Sequence, residues 1–180
     1  MKKKRWEIIF EDDDLIIVDK PAPFLTIPDR YDPEIPNLVG SLRSYREEIY
    51  INHRLDKETS GLILFSKNET THKQMSTYFE NGLINKIYIA IVHGKPIQPE
   101  GQIDKPIGKH SVRKKGMTID PKGKVAKSNY KVLESFKSHS VIEFEILTGR
   151  QHQIRVHSKS MNCPLVCDKL YGDGLPFMLS

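Results

Sequence analysis

The sequence contains few cysteines and no long hydrophobic run. Its two cysteines, Cys163 and Cys167, do not make a disulfide framework, and without a second pair they do not form a metal knuckle, so we expect buried thiols. The basic start, residues 1–5, is followed only by Ile8-Ile9-Phe10 before an acidic stretch, which is too short for a secretory signal. No segment is long and apolar enough to span a membrane. These absences predict a cytoplasmic protein with no membrane partner.

The charged residues are of both signs, with a basic excess. There are 28 Lys and Arg residues against 23 Asp and Glu residues, which gives a formal charge of +5 and a pI near 9.1. A basic surface fits a polyanionic partner. The chain of 180 residues shows no internal repeat, low-complexity segment or linker, so we expect a single domain over residues 1–180 that is a monomer.

Short apolar runs spread along the chain, with helices between them, predict an α+β fold rather than alternating βαβ units. The expected hairpins are Glu7–Phe10 with Leu15–Val18, and Tyr130–Phe136 with Val141–Leu147. Lys86–Val92 is expected to be a central strand because both of its faces are apolar, and residues 101–127 are expected to be irregular. A first short helix is expected to contain Leu38, Leu42 and Tyr45. A second is expected over 68–81, with Asn68 as its cap and Gly82 ending it. A third is expected to run from a cap at Thr148 through His157.

The segment from His53 to Leu62 places one carboxylate, Asp56, in a polar turn. Ile49-Tyr50-Ile51 precedes this turn and Leu62-Ile63-Leu64-Phe65 follows it, which predicts a strand, a turn and a strand. A turn on a rigid scaffold is a common position for a catalytic side chain. The alternative is a surface turn in which Asp56 accepts hydrogen bonds from neighbouring N–H groups, and for an isolated Asp-x-x-Thr-Ser-Gly that alternative is preferred.

Three blocks of sequence carry a resemblance that favours catalysis. His-Arg-Leu-Asp-x-x-Thr-Ser-Gly-Leu, at 53–62, resembles the signature of the RluA family of pseudouridine synthases. Lys86–Gly94 is similar to the family's Lys-x-Tyr-x-Ala-x-Val-x-Gly strand, and Thr148–His157 to its Gly-Arg-x-His-Gln-Ile/Leu-Arg-x-His motif. The blocks occur in the family's order, and the resemblance extends from Glu7 to Gly172. It implies a pseudouridine synthase catalytic domain whose mixed, largely antiparallel sheet is crossed by a catalytic cleft and flanked by helices and loops.

The resemblance implies isomerisation of specific uridines to pseudouridine in structured RNA, ribosomal or transfer, with no cofactor and no metal. Asp56 matches the family's essential carboxylate, and whether it acts as a nucleophile or as a base stays open. Arg155 matches the arginine that forms an ion pair with this carboxylate. Tyr88 matches a tyrosine whose ring can stack on the flipped base and whose hydroxyl can reach the C5 proton. Without the motifs, Arg155 would be read as a phosphate contact or a surface charge, and Tyr88 as a core aromatic residue.

Several basic residues are assigned to RNA contact. Arg54 resembles the residue that occupies the space left by the flipped base, and a salt bridge with Glu58 is the alternative. Arg150 and His152, in the third block, are also assigned to RNA, and His157 of the same block is a further candidate for RNA contact. The region from 105 to 127 contains eight Lys and Arg residues and one acid, Asp120, and such a cluster can bind phosphates or be a solvated loop. Its assigned RNA-binding members are Lys109, Arg113, Lys114 and Lys115.

The sequence departs from the family pattern in two respects. Cys167 stands where the family usually has Gly, and the chain is expected to lack the C-terminal strand or strands that follow Tyr171-Gly172 in relatives. The second departure keeps an alternative function open, a catalytically weak or inactive RNA-binding protein on the same fold. A hydrolase that uses Asp56 and a histidine is a third hypothesis, which explains the basic region poorly.

Overall fold

The computed structural model describes residues 6–110 and 116–175, and the chain divides into two compact units, residues 1–83 and 84–180. In the described residues, all pairs of strands within the sheets are antiparallel, and the helices are short. The predicted α+β class with largely antiparallel strands is confirmed. In the described parts of the chain, no helix is long and apolar enough to cross a membrane.

The first unit is built on a four-stranded sheet with the order β1-β2-β4-β3. Apolar residues on one face of the two central strands are fully buried: Ile16, Val18, Ile63 and Phe65. The alternation of these residues along each strand selects the buried face, as the period of two requires. The elements of this unit are β1 (Glu7–Glu11), β2 (Leu15–Lys20), α1 (Leu38–Arg43), β3 (Tyr50–Ile51), β4 (Gly61–Ser66) and α2 (Glu69–Glu80).

Two elements of this unit, the β1-β2 hairpin and helix α2, were predicted from residues close together in the sequence. The hairpin of β1 and β2 closes over a turn in which the Asp12 carboxylate accepts hydrogen bonds from the N–H groups of Asp14 and Leu15. Helix α2 begins after Asn68, whose side chain accepts a 2.8 Å hydrogen bond from the N–H of Thr71, and it ends before Gly82, where φ is +69°. Both predictions are confirmed.

The second unit contains a four-stranded sheet with the order β5-β10-β9-β6 and a separate two-stranded hairpin, β7-β8. One core cluster includes Val92, Ile103, Ile142 and Phe144, and the second is built around Ile107, Ala126, Val156 and Tyr171. The elements are β5 (Ile87–His93), β6 (Glu100–Asp104), β7 (Ile107–Lys109), β8 (Met117–Ile119), β9 (Lys127–Ser135), β10 (His139–Ile146) and α3 (Gln153–Ser160). The predicted hairpin of β9 with β10 is confirmed.

Two strand predictions in this unit were wrong. Among the described residues, strand β5 lies at the edge of its sheet and pairs there only with β10, and Ile87 and Ile89 are more than half exposed. The prediction of a central strand failed because the apolar residues on one face of β5 are exposed rather than buried. The region expected to be irregular contains β6, β7 and β8 in its described part, because pairing with β9 and between β7 and β8 outweighs its low content of strand-forming residues.

The helix expected after Thr148 begins later and in a different way. Its N-cap is His152, in a left-handed conformation with φ +56°, and no side chain caps it by a hydrogen bond. The Thr148 hydroxyl instead donates to Gln153 Oε1 and accepts from the N–H of Lys127. Thr148 therefore joins the helix start to β9 rather than capping it.

The two cysteines lie in different environments. Cys163 is buried, and burial raises the pKa of its thiol. Cys167 is exposed, so the prediction that both thiols are buried was wrong for this residue. Its φ is +60°, in the left-handed region that favours glycine. This backbone conformation gives a physical reason for the glycine that is usual at this position of the motif.

Candidate functional site

The turn that carries Asp56 is fixed to the segment around Thr26 within the first unit. The Thr26 hydroxyl donates to the carbonyl of Leu55 at 2.8 Å and accepts from the N–H of Leu55 at 3.2 Å. On the other side of Asp56, the N–H of Phe24 donates to the carbonyl of Lys57 at 3.0 Å. The half-buried Asp56 therefore lies between two backbone anchors, which is the kind of support that a catalytic side chain needs.

A buried ammonium group lies under the same turn. Lys20 is fully buried, and its Nζ donates to the carbonyl of Phe24 at 2.7 Å, with longer bonds to those of Pro21 and Lys57. Burial lowers the pKa of Lys20, and the negative charges of Asp56 and Glu58 act in the opposite direction. The turn thus combines a carboxylate with a positive charge that is held in place by carbonyl groups.

The two residues that begin the first motif have different surroundings. His53 accepts a hydrogen bond from the N–H of Leu64 at 3.0 Å, and its ring packs on that of Phe79 with centroids 4.9 Å apart. These contacts give His53 a structural role in the first unit. Arg54 is exposed at the surface of the turn, where both a contact with RNA and an ion pair with Glu58 remain predictions.

Tyr88 lies on the edge strand β5 of the second unit. It is half-buried, faces Phe144 of β10 in the strand register, and packs against the cluster that contains Val92 and Ile142. The ring therefore contributes to the core while part of the side chain remains accessible. This position would hold the Tyr88 ring rigidly enough for a base to stack on it, and the catalytic role of Tyr88 stays a prediction.

Arg155, on α3, forms a bidentate ion pair within the second unit. Its Nε and Nη2 donate to the two carboxylate oxygens of Asp168, each at 2.8 Å, and its guanidinium carbon lies 4.8 Å from the centre of the Tyr171 ring. Burial alone would raise the pKa of Asp168, but hydrogen bonds from Arg155 and from the N–H groups of Leu170 and Tyr171 hold it below its usual range. Asp56 belongs to the other unit, and the pairing of Asp56 with Arg155 stays a prediction.

The third block divides between accessible and buried side chains. Arg150 is half-buried and donates from Nε to the carbonyl of Val125 at 2.8 Å. His152 is half-buried, with its Nδ1 2.7 Å from the Tyr171 hydroxyl. Contact of these two residues with RNA stays a prediction.

His157 cannot contact RNA, because its side chain is fully buried in the second unit. Its Nδ1 lies 3.0 Å from Ser128 Oγ and its Nε2 lies 3.0 Å from the carbonyl of Lys105. Since a carbonyl can only accept, Nε2 carries the proton and Nδ1 accepts from the Ser128 hydroxyl. The expectation for His157 was wrong because its helix face turns towards β9 and the segment after β6.

The basic cluster is described only in part. Lys109 is exposed at the end of β7, where it pairs with Met117 of β8 in the strand register. Arg113, Lys114 and Lys115 lie outside the described residues. Across the described ranges, no group of three or more His, Cys, Asp or Glu side chains could hold a metal ion.

Four residues that hold predicted site residues within their own units were given no role from the sequence: Lys20 and Thr26 in the first unit, and Asp168 and Tyr171 in the second. For Asp168 and Tyr171 there was a signal, since Asp168 directly follows the position where the family usually has Gly, and Tyr171 belongs to the Tyr-Gly pair noted in relatives. Thr26 carried no signal, because its partner Leu55 is 29 positions away.

Comparison with known proteins gives consistent results. Residues 14–160 match the family model described as RNA pseudouridylate synthase. The ribosomal large subunit pseudouridine synthase D of Pseudomonas aeruginosa is 38% identical over 172 residues, which cover 92% of this chain and 53% of that protein. The ribosomal large subunit pseudouridine synthase C of Rickettsia bellii is 36% identical over 170 residues, covering 92% and 56%. The chain therefore spans about half the length of these curated relatives.

The solved structures give the same result for the fold. Human RNA pseudouridylate synthase domain containing 4 superposes with a TM-score of 0.78 and 25% identity, over 97% of this chain and 73% of that one. Human RNA pseudouridylate synthase domain containing 1 also gives a TM-score of 0.78, with 26% identity over 93% of this chain and 70% of that one. Nearly the whole of this chain therefore has a counterpart in each structure.

Proposed function

Because the chain belongs to the RNA pseudouridylate synthase family, we propose that it isomerises uridine to pseudouridine in RNA. The observation that carries the proposal is the anchored turn at Asp56. The residues on both sides of this carboxylate are bonded to a second segment, and a buried ammonium group lies below it. This rigidity is expected of a group that must meet one atom of a substrate, and a solvated surface turn has no need of it.

The proposed reaction exchanges one bond of the sugar for another. The bond between the base nitrogen and the sugar carbon breaks, the base turns, and C5 of the base bonds to the same sugar carbon. The C5 proton leaves and the released nitrogen gains a proton, so atoms balance without a cofactor. Asp56 would act at the sugar as a nucleophile or as a base. Tyr88 would stack on the base and receive or relay the C5 proton, and Arg155 would pair with the Asp56 carboxylate.

We propose RNA of the large ribosomal subunit as the substrate class. The names of the matched relatives support this choice over transfer RNA. Exposed Arg54 and Lys109 are the described side chains proposed to contact RNA directly, together with the half-buried Arg150 and His152. The basic excess of the whole chain would add attraction for phosphates that does not depend on sequence.

Tritium release from RNA that contains 5-tritiated uridine tests the proposal. Unmodified large-subunit ribosomal RNA should release tritium with the unaltered protein, whereas Asp56→Asn should abolish release and leave RNA affinity nearly unchanged. Asp13→Asn is the matched control, since it makes the same chemical change at an exposed turn residue and should retain full activity.

Each alternative predicts a different result. Bound RNA without tritium release from the unaltered protein would favour the RNA-binding protein on this fold. Retained release in Asp56→Asn would remove Asp56 from its proposed role. Release from transfer RNA alone would overturn the proposed substrate class but not the reaction.

A further inference from the structure

The ion pair of Arg155 with Asp168 is part of a larger built support. Asp168 is 8% exposed and accepts hydrogen bonds from the N–H groups of Leu170 at 2.9 Å and Tyr171 at 3.0 Å, in addition to the two from Arg155. The N–H of Gly172 closes the turn on the Asp168 carbonyl at 2.9 Å. A Cβ at Gly172 would lie 2.8 Å from the carbonyl oxygen of Leu165, so any other residue at this position would force the backbone of the turn to shift.

Tyr171 lies against the same guanidinium group and is itself fixed at its hydroxyl. Its ring is buried, with the guanidinium carbon of Arg155 4.8 Å from the ring centre. The Tyr171 oxygen accepts from the N–H of Met117 at 2.7 Å, so its single proton is available to His152 Nδ1, also at 2.7 Å. Both ends of the tyrosine are therefore engaged.

The contact with Met117 requires a close approach of the β8 strand. Gly116, with φ +105°, precedes Met117, and a Cβ at Gly116 would lie 2.8 Å from the Tyr171 oxygen and 2.9 Å from Leu170 Cδ2. The β7-β8 hairpin, which carries Lys109, is thus attached to Tyr171, the residue whose ring lies on Arg155. Helix α3 and the turn at Asp168 meet at the Arg155 side chain, and the hairpin is joined to them through Tyr171.

We propose that Asp168 and Tyr171 are positioning residues for Arg155 in the isomerisation, and that Tyr171 ties the β7-β8 hairpin to this arginine. The inference rests on the proposed function, in which Arg155 serves the reacting carboxylate. A long arginine side chain has many rotamers, and ordering it during the reaction would cost conformational entropy. A guanidinium group that is already fixed can meet a carboxylate in bidentate geometry without that cost. Asp168 orients the planar group, and the Tyr171 ring supports its face.

A double-mutant cycle separates positioning from a general structural role. Asp168→Asn should lower the single-turnover rate by up to about 100-fold, as misplacement of a reacting group by about 1 Å can do. RNA affinity should stay within about twofold, since neither residue is assigned to phosphates. In an Arg155→Lys background, Asp168→Asn should change the remaining rate little, because the group that it positions is already gone. Tyr171→Phe, which keeps the ring, should give a smaller loss with the same dependence on Arg155.

Matched controls exist in the same unit. Asp104→Asn removes a carboxylate that pairs with Lys127 at an exposed position, and Tyr130→Phe removes a hydroxyl bonded to the carbonyl of Gln98. Both variants should keep the unaltered rate. Equal losses from Asp168→Asn in the two Arg155 backgrounds, or no loss in either, would overturn the proposal.

Nitrogen-15 NMR of the Arg155 Nε–H group gives a readout that does not depend on turnover. In the unaltered protein this proton should exchange slowly with water, and Asp168→Asn should restore fast exchange. Fast exchange in the unaltered protein, or no change in the variant, would overturn the proposal even if Arg155→Lys has no measurable rate. Slow exchange that Asp168→Asn abolishes, in a protein that releases no tritium, would instead mean that the proposed function fails while Asp168 still holds Arg155.

Discussion

The Thr26 hydroxyl bonds to both backbone groups of Leu55, the residue that precedes Asp56. The two bonds, at 2.8 and 3.2 Å, are buried. Leu55 lies between β3, which ends at Ile51, and β4, which begins at Gly61, so no strand partner satisfies its N–H and carbonyl. The Thr26 side chain therefore satisfies the backbone N–H and carbonyl groups of Leu55, as a neighbouring strand would within a sheet.

Thr26→Val should destabilise the first unit and lower turnover. Valine keeps the shape of threonine but leaves the buried N–H and carbonyl of Leu55 without this partner, which costs about 1–3 kcal/mol for each unsatisfied group. Urea unfolding followed by the fluorescence of the single tryptophan, buried Trp6, measures the loss. Thr77→Val is the control, since its hydroxyl bonds to the Lys73 carbonyl at an exposed site where water can replace it. Equal effects of the two substitutions would contradict a special role for Thr26.

The buried His157 should make stability depend on pH. Burial lowers the pKa of His157 below its unfolded value of 6.5. Between the folded and unfolded pKa values the unfolded chain binds more protons, so the free energy of unfolding rises with pH. The contribution is complete above about 6.5 and is lost as the pH falls through that window, with a slope of at most about 1.4 kcal/mol per pH unit.

Urea unfolding of the unaltered protein and of His157→Gln, at several pH values from 5 to 8, isolates this contribution from that of the carboxylates. The difference in unfolding free energy between the two proteins should shrink as the pH falls, because the unaltered protein alone loses the His157 contribution. A difference that stays constant over this range would show that His157 accepts a proton in the folded protein as readily as in the unfolded chain.

Neutralising the basic cluster should weaken RNA binding about equally for all sequences. The substituted residues, each changed to glutamine, are Lys109, Arg113, Lys114 and Lys115. Each lost phosphate contact should flatten the dependence of log affinity on log salt concentration by about 0.7 to 0.9. Turnover at saturating RNA should persist, since no role at the reacting uridine is assigned to these residues. Filter binding at several salt concentrations measures both quantities.

A second quadruple variant has the same change in net charge. It replaces exposed lysines elsewhere with glutamine: Lys73, Lys95, Lys131 and Lys137. If the cluster contacts phosphates, this control should keep most of the salt dependence. Equal losses in the two variants would mean that overall charge, and not the cluster, attracts RNA. Loss of turnover at saturation only in the first variant would mean that the cluster orders the active site.

The sequence by itself determined the features that depend on neighbouring residues. The Asp12 turn closes the first hairpin, Asn68 caps α2, and alternation along β10 buries Ile142 and Phe144. Each of these signals acts over a few positions, within one turn of helix or one pleat of strand. The motif around Asp56 could likewise be identified from the sequence, because its residues are contiguous in the chain.

Tertiary structure alone decided which distant groups meet. Periodicity does not give strand order, so it could not place β5 at an edge. It also could not reveal that His157 is buried against Ser128, or that Arg155 pairs with Asp168 through a turn 13 positions further on. These contacts arise from the packing of segments that the chain brings together only on folding, and the free energy of burying a charge or a polar group depends on that packing.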